Sequence, residues 1–123
     1  MLQKAKDIAD IQKLSEEATS GEVESALVTT KGNMYTGVSI KAACGVGFCA
    51  EYGAVSNMVT NGETNIRTIV AVYEDGKILP PCGRCRELIY EINPKNIETD
   101  IILDEGKVMK LKDLLPERWQ DRF

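Results

Sequence analysis

Three of the four cysteines in this 123-residue chain lie in two short stretches, and a glutamate stands beside one of them. The stretches are Cys49-Ala50-Glu51 and Pro81-Cys82-Gly83-Arg84-Cys85-Arg86. Three thiolates suit a zinc ion, and they leave its fourth tetrahedral position to water, as in a catalytic site. A nearby carboxylate can move protons to and from that water. The pattern predicts one catalytic zinc per chain, held by Cys49, Cys82 and Cys85.

Composition narrows the classes of function. The absence of histidine excludes Ser-His-Asp and Cys-His machinery and any His-ligated metal site. A net charge of −4 without a basic run argues against a nucleic-acid polymer as partner. The apolar stretches are too short to span a bilayer, and the N-terminus lacks a hydrophobic signal core. We therefore expect a cytoplasmic protein without a membrane partner. In the reducing cytoplasm, clustered cysteines more often bind metal or do redox chemistry than form disulfides.

Hydrophobic periodicity predicts helices and strands that alternate within a single domain, residues 1–123. The order α-β-β-α-β-α-β-β predicts an α/β fold with three α-β-α layers and a five-stranded mixed sheet. Trp119 and Phe123 are expected to pack the tail down. The predicted helices are Leu2–Ala18, Cys49 to the Asn61-Gly62 stop, Cys82–Ile92 and a last turn at Leu111–Leu115. The predicted strands are Val23–Thr29, Met34–Ile40, Ile66–Tyr73, Ile101–Leu103 and Lys107–Met109.

Both cysteine stretches are predicted to begin a helix. Helix N-termini carry partial positive charge and free N–H groups, which lower the pKa of a thiol. Three thiolates around a zinc dication leave a net charge of −1, and Arg84 or Arg86 would offset it. The loop Lys41–Phe48 contains two glycines and small side chains, so it forms either the wall of a ligand pocket or a tight turn.

Together the two stretches resemble the motif of the zinc deaminases, in which a glutamate two residues after the first ligand is followed by Pro-Cys-x-x-Cys. The first ligand of that motif is histidine, and this chain has Cys49 in its place, so the chain is similar to the small, all-cysteine cytidine deaminases. Thr36-Gly37-Val38, Pro80 to Ile89 and Leu114-Leu115-Pro116 look most like the blasticidin S deaminase branch. The resemblance covers residues 20–116.

The resemblance implies a cytidine-deaminase-like fold and a homotetramer whose active sites are completed by neighbouring subunits. It also implies a zinc-dependent aminohydrolase that removes the C4 amino group of a cytosine-containing nucleoside or analogue and releases ammonia. The small-molecule substrate would be cytidine, deoxycytidine or a compound like blasticidin S. Carried over by position, Cys49, Cys82 and Cys85 bind zinc, Glu51 shuttles protons, the Ala50 N–H and the Pro80 carbonyl bind the base, and Ser39 contacts the substrate.

Two departures concern the substrate. Similar cytidine deaminases grip the ribose with an Asn-x-Glu pair, where this chain has Ser39-Ile40-Lys41. Lys41 either meets a negative group on the substrate or is an ordinary surface lysine. They also often have arginine after Cys-Ala-Glu, where this chain has Tyr52, so Arg84 or Arg86 would take over the neutralisation of the thiolates.

Three other interpretations stay open on the residues alone. Cys44 as a fourth ligand would make the zinc structural, which leaves Glu51 without a role; otherwise Cys44 is a small buried thiol. The pair Cys82 and Cys85 also matches a thiol-redox site. A zinc-binding member of the fold that has lost catalysis would serve as a binding module, and the intact Glu51 argues against it.

Overall fold

The computed structural model describes residues 1–8 and 10–123. Ala9, one apolar position of the predicted first helix, lies outside the described residues. The helices are α1 (Leu2–Ile8), α2 (Ala50–Thr60), α3 (Gly83–Ile92) and α4 (Leu111–Leu114), and 3-10 turns cover Ala43–Gly45, Pro94–Glu98 and Trp119–Arg122. The strands are β1 (Gln12–Lys13), β2 (Ala18–Thr29), β3 (Met34–Ala42), β4 (Ile66–Tyr73), β5 (Ile78–Leu79), β6 (Asp100–Asp104) and β7 (Lys107–Lys110).

The described residues form one mixed sheet of seven strands. Its long strands run in the order β3-β2-β4-β6-β7, in which β4 and β6 are parallel and the other neighbours are antiparallel. The prediction of five strands was wrong by two, because β1 and β5 pair beside β2 and β4. Each has only two residues, too few for a hydrophobic pattern to reveal.

Helices cover both faces of the sheet, which confirms the three-layer prediction. Successive side chains of a strand point to opposite faces of the sheet, so consecutive residues within β2, and within β4, pack on opposite faces. Leu27 and Ile69 belong to the buried cluster with α2 and α3, whereas Ala26 and Val70 belong to the cluster with Ala5 of α1. Among the described residues, no helix is long and apolar enough to cross a membrane.

The first helix is shorter than predicted. It ends at Ile8 rather than at Ala18, and Gln12 and Lys13 pair instead with Ser20 and Thr19 at the start of β2. Ile11 is 44% exposed and Leu14 is 56% exposed, so the apolar positions that would continue the helical stripe are not core positions. Pairing with a strand later in the chain outweighs the local helical period.

Two glycines let α2 lie directly against β3. A Cβ atom on Gly37 would stand 2.2 Å from the backbone nitrogen of Ala54, and one on Gly53 would stand 3.1 Å from the Cα atom of Gly37. The first of these distances leaves no space for any side chain. The contact fixes the helix whose first turn carries the predicted zinc ligand and the predicted proton shuttle.

A carboxylate is buried on the α1 side of the sheet. Glu24 is 0% exposed, and no described residue donates a hydrogen bond to either of its oxygens. It shares a face with Ala26, and its neighbours across the strands are Val38 and Val72. Burial in these surroundings raises the pKa of Glu24 to about 7.

We expect Glu24→Gln to remove one part of the pH dependence of stability. The pKa of this carboxyl is about 4.3 in the unfolded chain and about 7 in the folded chain. At pH values between these two, the folded state binds more protons than the unfolded state, so the free energy of unfolding falls as pH rises. The fall from about pH 5 to pH 8 should be roughly 2 kcal/mol larger in the natural protein than in the variant. Urea unfolding of both proteins at equal zinc measures it, and parallel pH profiles would contradict the assignment.

Candidate metal centre and active site

Two helix starts bring three cysteines together. Cys49 directly precedes α2, Cys82 directly precedes α3, and both have extended backbone, with φ of −73° and −69°. Cys85 lies in the first turn of α3. The Sγ atoms of Cys49 and Cys82 are 3.7 Å apart, and those of Cys82 and Cys85 are 3.5 Å apart. The prediction that both stretches begin a helix is confirmed.

The spacing of these sulfur atoms fits a tetrahedral zinc ion. Zinc–sulfur bonds of about 2.3 Å at tetrahedral angles place neighbouring sulfurs roughly 3.8 Å apart. The Cys49–Cys82 and Cys82–Cys85 separations lie within a few tenths of an ångström of that value, and all three sulfurs lie within 4.8 Å of one another. Three protein ligands would leave one tetrahedral position for water or substrate, and Cys49 and Cys82 lie on the wall of the cavity described below. The residues present therefore fit zinc in a site with one open position.

Without a bound cation, the pKa values of the three thiols are shifted in different directions. Burial, followed by the charge of Glu51, raises the pKa of Cys85, and burial also raises the pKa of Cys49. Burial opposes ionisation of Cys82 too, but the backbone N–H groups of Cys85 and Arg84 and the adjacent thiols outweigh it and lower its pKa. A bound dication favours thiolates at all three positions, since a coordinating thiol is deprotonated.

The two arginines of the second stretch have different partners. Arg84 donates from Nε to the Tyr52 hydroxyl at 3.2 Å, and its Cζ lies 4.9 Å from the centre of the Tyr52 ring. The hydrogen bond to Tyr52, followed by the charges of Tyr52, Cys49 and Cys82, raises the pKa of Arg84. Arg86 instead donates to the backbone carbonyls of Pro81 and Leu114. Arg84 therefore lies near enough to Cys49 and Cys82 for their charges to affect its pKa, whereas Arg86 ties α3 to its surroundings.

A cavity of about 490 Å³ opens beside the cysteines. Glu51, in the first turn of α2 and 5% exposed, lies on its wall. Burial raises the pKa of the Glu51 carboxyl. The volume falls within the range of small-molecule sites. The other lining residues include Glu22, Val23, Ser39, Lys41, Ala42, Gly45, Gly47, Phe48, Cys49, Ala50, Leu79, Pro80, Cys82 and Arg84.

All three predicted substrate-binding residues lie on this wall. Ala50 is 0% exposed and begins α2, where the helix supplies no acceptor for its N–H. Pro80 lies just before the cysteines of α3. The Ser39 hydroxyl accepts a hydrogen bond from the Val23 N–H at 3.0 Å. Placement on the wall is shown by the structure, whereas contact with a substrate stays a prediction.

The loop Lys41–Phe48 contributes Ala42, Gly45, Gly47 and Phe48 to the wall of the cavity, whereas ligand binding there stays a prediction. Cys44, in the same loop, is exposed and has a φ of 61°. Its interpretation as a small buried thiol was wrong, because a left-handed turn holds it at the surface. It also lies outside the cluster of three cysteines, which speaks against a four-cysteine zinc site.

The cavity includes a carboxylate that the sequence interpretation did not single out. Glu22 pairs with Lys41, with 3.1 Å between Oε2 and Nζ, and accepts a hydrogen bond from the Tyr73 hydroxyl at 3.1 Å. An irregularity in β2 between Ser20 and Glu24 sets this position. The one local sequence signal for this irregularity was Gly21, because a glycine within a strand is typical of a bulge.

The C-terminal tail differs from the prediction. Trp119 is 58% exposed and Phe123 is 98% exposed, and their rings contact each other at 5.9 Å between centres. The tail is held by Arg118, whose guanidinium lies 5.1 Å from the centre of the Tyr90 ring. The aromatic side chains do not pack the tail onto the core.

Comparisons with known proteins agree with this site. The family model described as "Cytidine and deoxycytidylate deaminase zinc-binding region" matches residues 1–99. The chain is 34% identical over 109 residues to a blasticidin-S deaminase from Bacillus cereus, covering 79% of this chain and 76% of that protein. It is 28% identical over 98 residues to a cytidine deaminase from Halalkalibacterium halodurans, with 77% and 74% covered.

Solved structures show the same fold. The crystal structure of cytidine deaminase from Mycobacterium tuberculosis matches with a TM-score of 0.79 at 26% identity, covering 97% of this chain and 94% of that chain. The enzyme from Mycobacterium leprae matches with a TM-score of 0.78 at 28% identity, covering 95% of each chain. With its three-cysteine cluster positioned to bind one zinc ion, the chain belongs to the zinc-dependent cytidine and deoxycytidylate deaminase family.

Proposed function

We propose that this protein removes the C4 amino group of a cytosine-containing nucleoside or nucleoside analogue by hydrolysis and releases ammonia. The observation that carries the proposal is that the buried Glu51 carboxylate lines one cavity together with Cys49 and Cys82, two of the three clustered thiols. The relatives named blasticidin-S deaminase and cytidine deaminase support the class of substrate. Cytidine, deoxycytidine and blasticidin S-like compounds are all within it.

Glu51 is the proposed proton carrier. Zinc held by Cys49, Cys82 and Cys85 supplies Lewis acidity that brings the pKa of a water molecule near neutrality. Glu51 takes a proton from the attacking water and returns it to the amine, which leaves C4 as ammonia. Burial suits this role, because it raises the pKa of the carboxyl toward the working pH and so eases both uptake and return.

Backbone groups orient the base in this proposal. The Ala50 N–H donates to the ring carbonyl oxygen of cytosine, and the Pro80 carbonyl accepts from its amino group. Both residues lie on the cavity wall, Ala50 directly after Cys49 and Pro80 two residues before Cys82. Arg84 offsets the excess negative charge of three thiolates on one dication. It takes over this role from the arginine that similar deaminases often have at the position of Tyr52.

A substrate panel tests the proposed reaction. Purified, zinc-loaded protein is incubated with cytidine, deoxycytidine, blasticidin S and free cytosine, and ammonia release is measured with ultraviolet absorbance. We expect deamination of at least one cytosine nucleoside or analogue and none of adenosine, which serves as the control. A protein that holds one zinc per chain yet deaminates none of them would instead be a binding module of the same fold.

We further propose a homotetramer whose neighbouring subunits complete each active site. The support is an exposed apolar rim on the cavity loop, where Val46 is 72% exposed and Phe48 is 37% exposed. Light scattering should give a mass of four chains, and a fully active monomer would contradict the assembly. Cytoplasmic location stays a prediction.

A further inference from the structure

A tyrosine and an arginine join the first turns of the two helices that follow the ligand cysteines. Tyr52 is the third residue of α2, and Arg84 is the second residue of α3. Nε of Arg84 donates to the Tyr52 hydroxyl at 3.2 Å, and Cζ of Arg84 lies 4.9 Å from the centre of the Tyr52 ring. The second distance is within the range of a cation–π contact. The ring and the hydroxyl of Tyr52 therefore both contact one guanidinium.

This contact lies next to the metal ligands. Arg84 stands between Cys82 and Cys85 in the chain, and it lines the same cavity as Cys49 and Cys82. Tyr52 follows Cys49 by three residues and does not belong to the described wall of this cavity. Tyr52 therefore influences the site through a neighbour, and Arg84 is the neighbour that reaches the wall.

The partner that holds Arg84 carries no negative charge. Among the described residues, Tyr52 is the one hydrogen-bond partner of Arg84, and no carboxylate forms an ion pair with it. Arg118 is different, because it lies over the ring of Tyr90 and also pairs with Asp121 at 3.2 Å. A carboxylate would offset the charge of a guanidinium, whereas a neutral phenol orients the group and leaves its charge available.

An available positive charge is useful at this place. Three thiolates on one zinc dication carry excess negative charge, and an arginine offsets it only while the guanidinium stays close, because the attraction weakens with distance and is screened by water. Arg84 is exposed, so a side chain of this length would otherwise sample many rotamers. The two contacts with Tyr52 restrict that freedom.

We propose that Tyr52 is a positioning residue of the metal centre, which holds Arg84 beside Cys49 and Cys82 and leaves the charge of the guanidinium intact. This inference rests on the proposed function, which gives Arg84 the role of offsetting the charge of the thiolates. It adds the side chain on which that role depends. Zinc affinity reports on Tyr52 directly, whether or not a given substrate is deaminated.

The test measures the zinc dissociation constant by competition with a chelator for the natural protein, Tyr52→Leu, Arg84→Gln and the double variant. We expect the constant to rise about tenfold or more in each single variant, because groups that support metal ligands from outside are typically worth about 10- to 100-fold in affinity. The double variant should match Arg84→Gln, since Tyr52 acts through Arg84. Added salt should reduce the difference between the natural protein and Tyr52→Leu, which loss of packing alone would not do.

Two further variants separate positioning from packing. Tyr52→Phe keeps the ring under the guanidinium and loses only the hydroxyl, so it should lose less zinc affinity than Tyr52→Leu. Arg118→Gln removes the other arginine–tyrosine contact of α3 and should bind zinc like the natural protein. Natural zinc affinity in Tyr52→Leu, or losses that multiply in the double variant, would overturn the role of Tyr52. A zinc-loaded protein that deaminates nothing would instead overturn the proposed function, and the same zinc measurements would still decide the role of Tyr52.

Discussion

Glu51→Ala should lower kcat by about 10³-fold or more while the protein keeps one zinc per chain, because general acid–base catalysis is typically worth 10²- to 10⁴-fold. Glu51 is 5% exposed and lines the same cavity as Cys49 and Cys82. The other carboxylate on the cavity wall, Glu22, has both oxygens engaged by Lys41 and Tyr73. No other described carboxylate on the cavity wall is therefore unpaired and able to replace Glu51 in proton transfer.

Two further variants separate proton transfer from packing. Glu51→Gln keeps the volume of the side chain but cannot carry the proton, so it should be as inactive as the alanine variant and equally rich in zinc. Glu74→Gln, in the exposed turn after β4, should behave like the natural protein. Ammonia release and elemental analysis on the same preparations make the comparison. A glutamine variant with more than about a tenth of the natural rate would remove Glu51 from its role.

Cys85→Ala should abolish zinc retention, and activity should fall with it. Cys85 is 0% exposed and supplies the ligand from inside the first turn of α3. Loss of a group that only orients a metal ligand costs about 10- to 100-fold in affinity, so loss of a ligand itself should cost more than about 100-fold. Dialysis followed by elemental analysis measures the zinc that remains.

Cys44→Ala is the matched control for this experiment. Cys44 is exposed and lies outside the cluster, so its removal should leave one zinc per chain. If Cys44→Ala lost zinc as completely as Cys85→Ala, the site would be a four-cysteine structural site. If Cys85→Ala kept its zinc, the three-thiolate assignment would be wrong.

Local signals were sufficient to predict the metal cluster. Cys49 and Cys82 each precede a helix whose start is marked within a few residues, and Cys85 follows in the same turn. The free N–H groups of a helix start point in one direction, and residues three apart lie on one face, so Cys82 and Cys85 meet Cys49 once the two helix starts are adjacent. The resemblance to a deaminase motif added the order of the ligands and the role of the glutamate.

Features that depend on distant pairing were not predictable in this way. The stretch after Ile8 keeps apolar residues at helical spacing, yet Gln12 and Lys13 pair with the start of β2. A Cβ atom on Gly21 would stand 1.8 Å from the Asp10 carbonyl oxygen, so the two segments are in close backbone contact. Such contacts outweigh helix propensity, which is a weak preference.

The cavity wall formed by β2 and β3 shows the same limit. Glu22 meets Lys41 because β2 is irregular at this point, and nothing in the residues around Lys41 indicates this partner. The ion pair on this wall therefore depends on how β2 and β3 pair, which local sequence does not determine. Lys41, which the sequence left between a surface lysine and a substrate contact, lies on the cavity wall.

Stepwise return of zinc to metal-depleted protein tests the central claim most directly. Three thiolates with one open position predict that ammonia release rises in proportion to added zinc and stops rising at about one equivalent per chain. The Glu51→Gln variant should take up the same single equivalent and release no ammonia. Full activity in metal-free protein, above all with an oxidised Cys82–Cys85 pair, would contradict the assignment of a zinc-dependent deaminase.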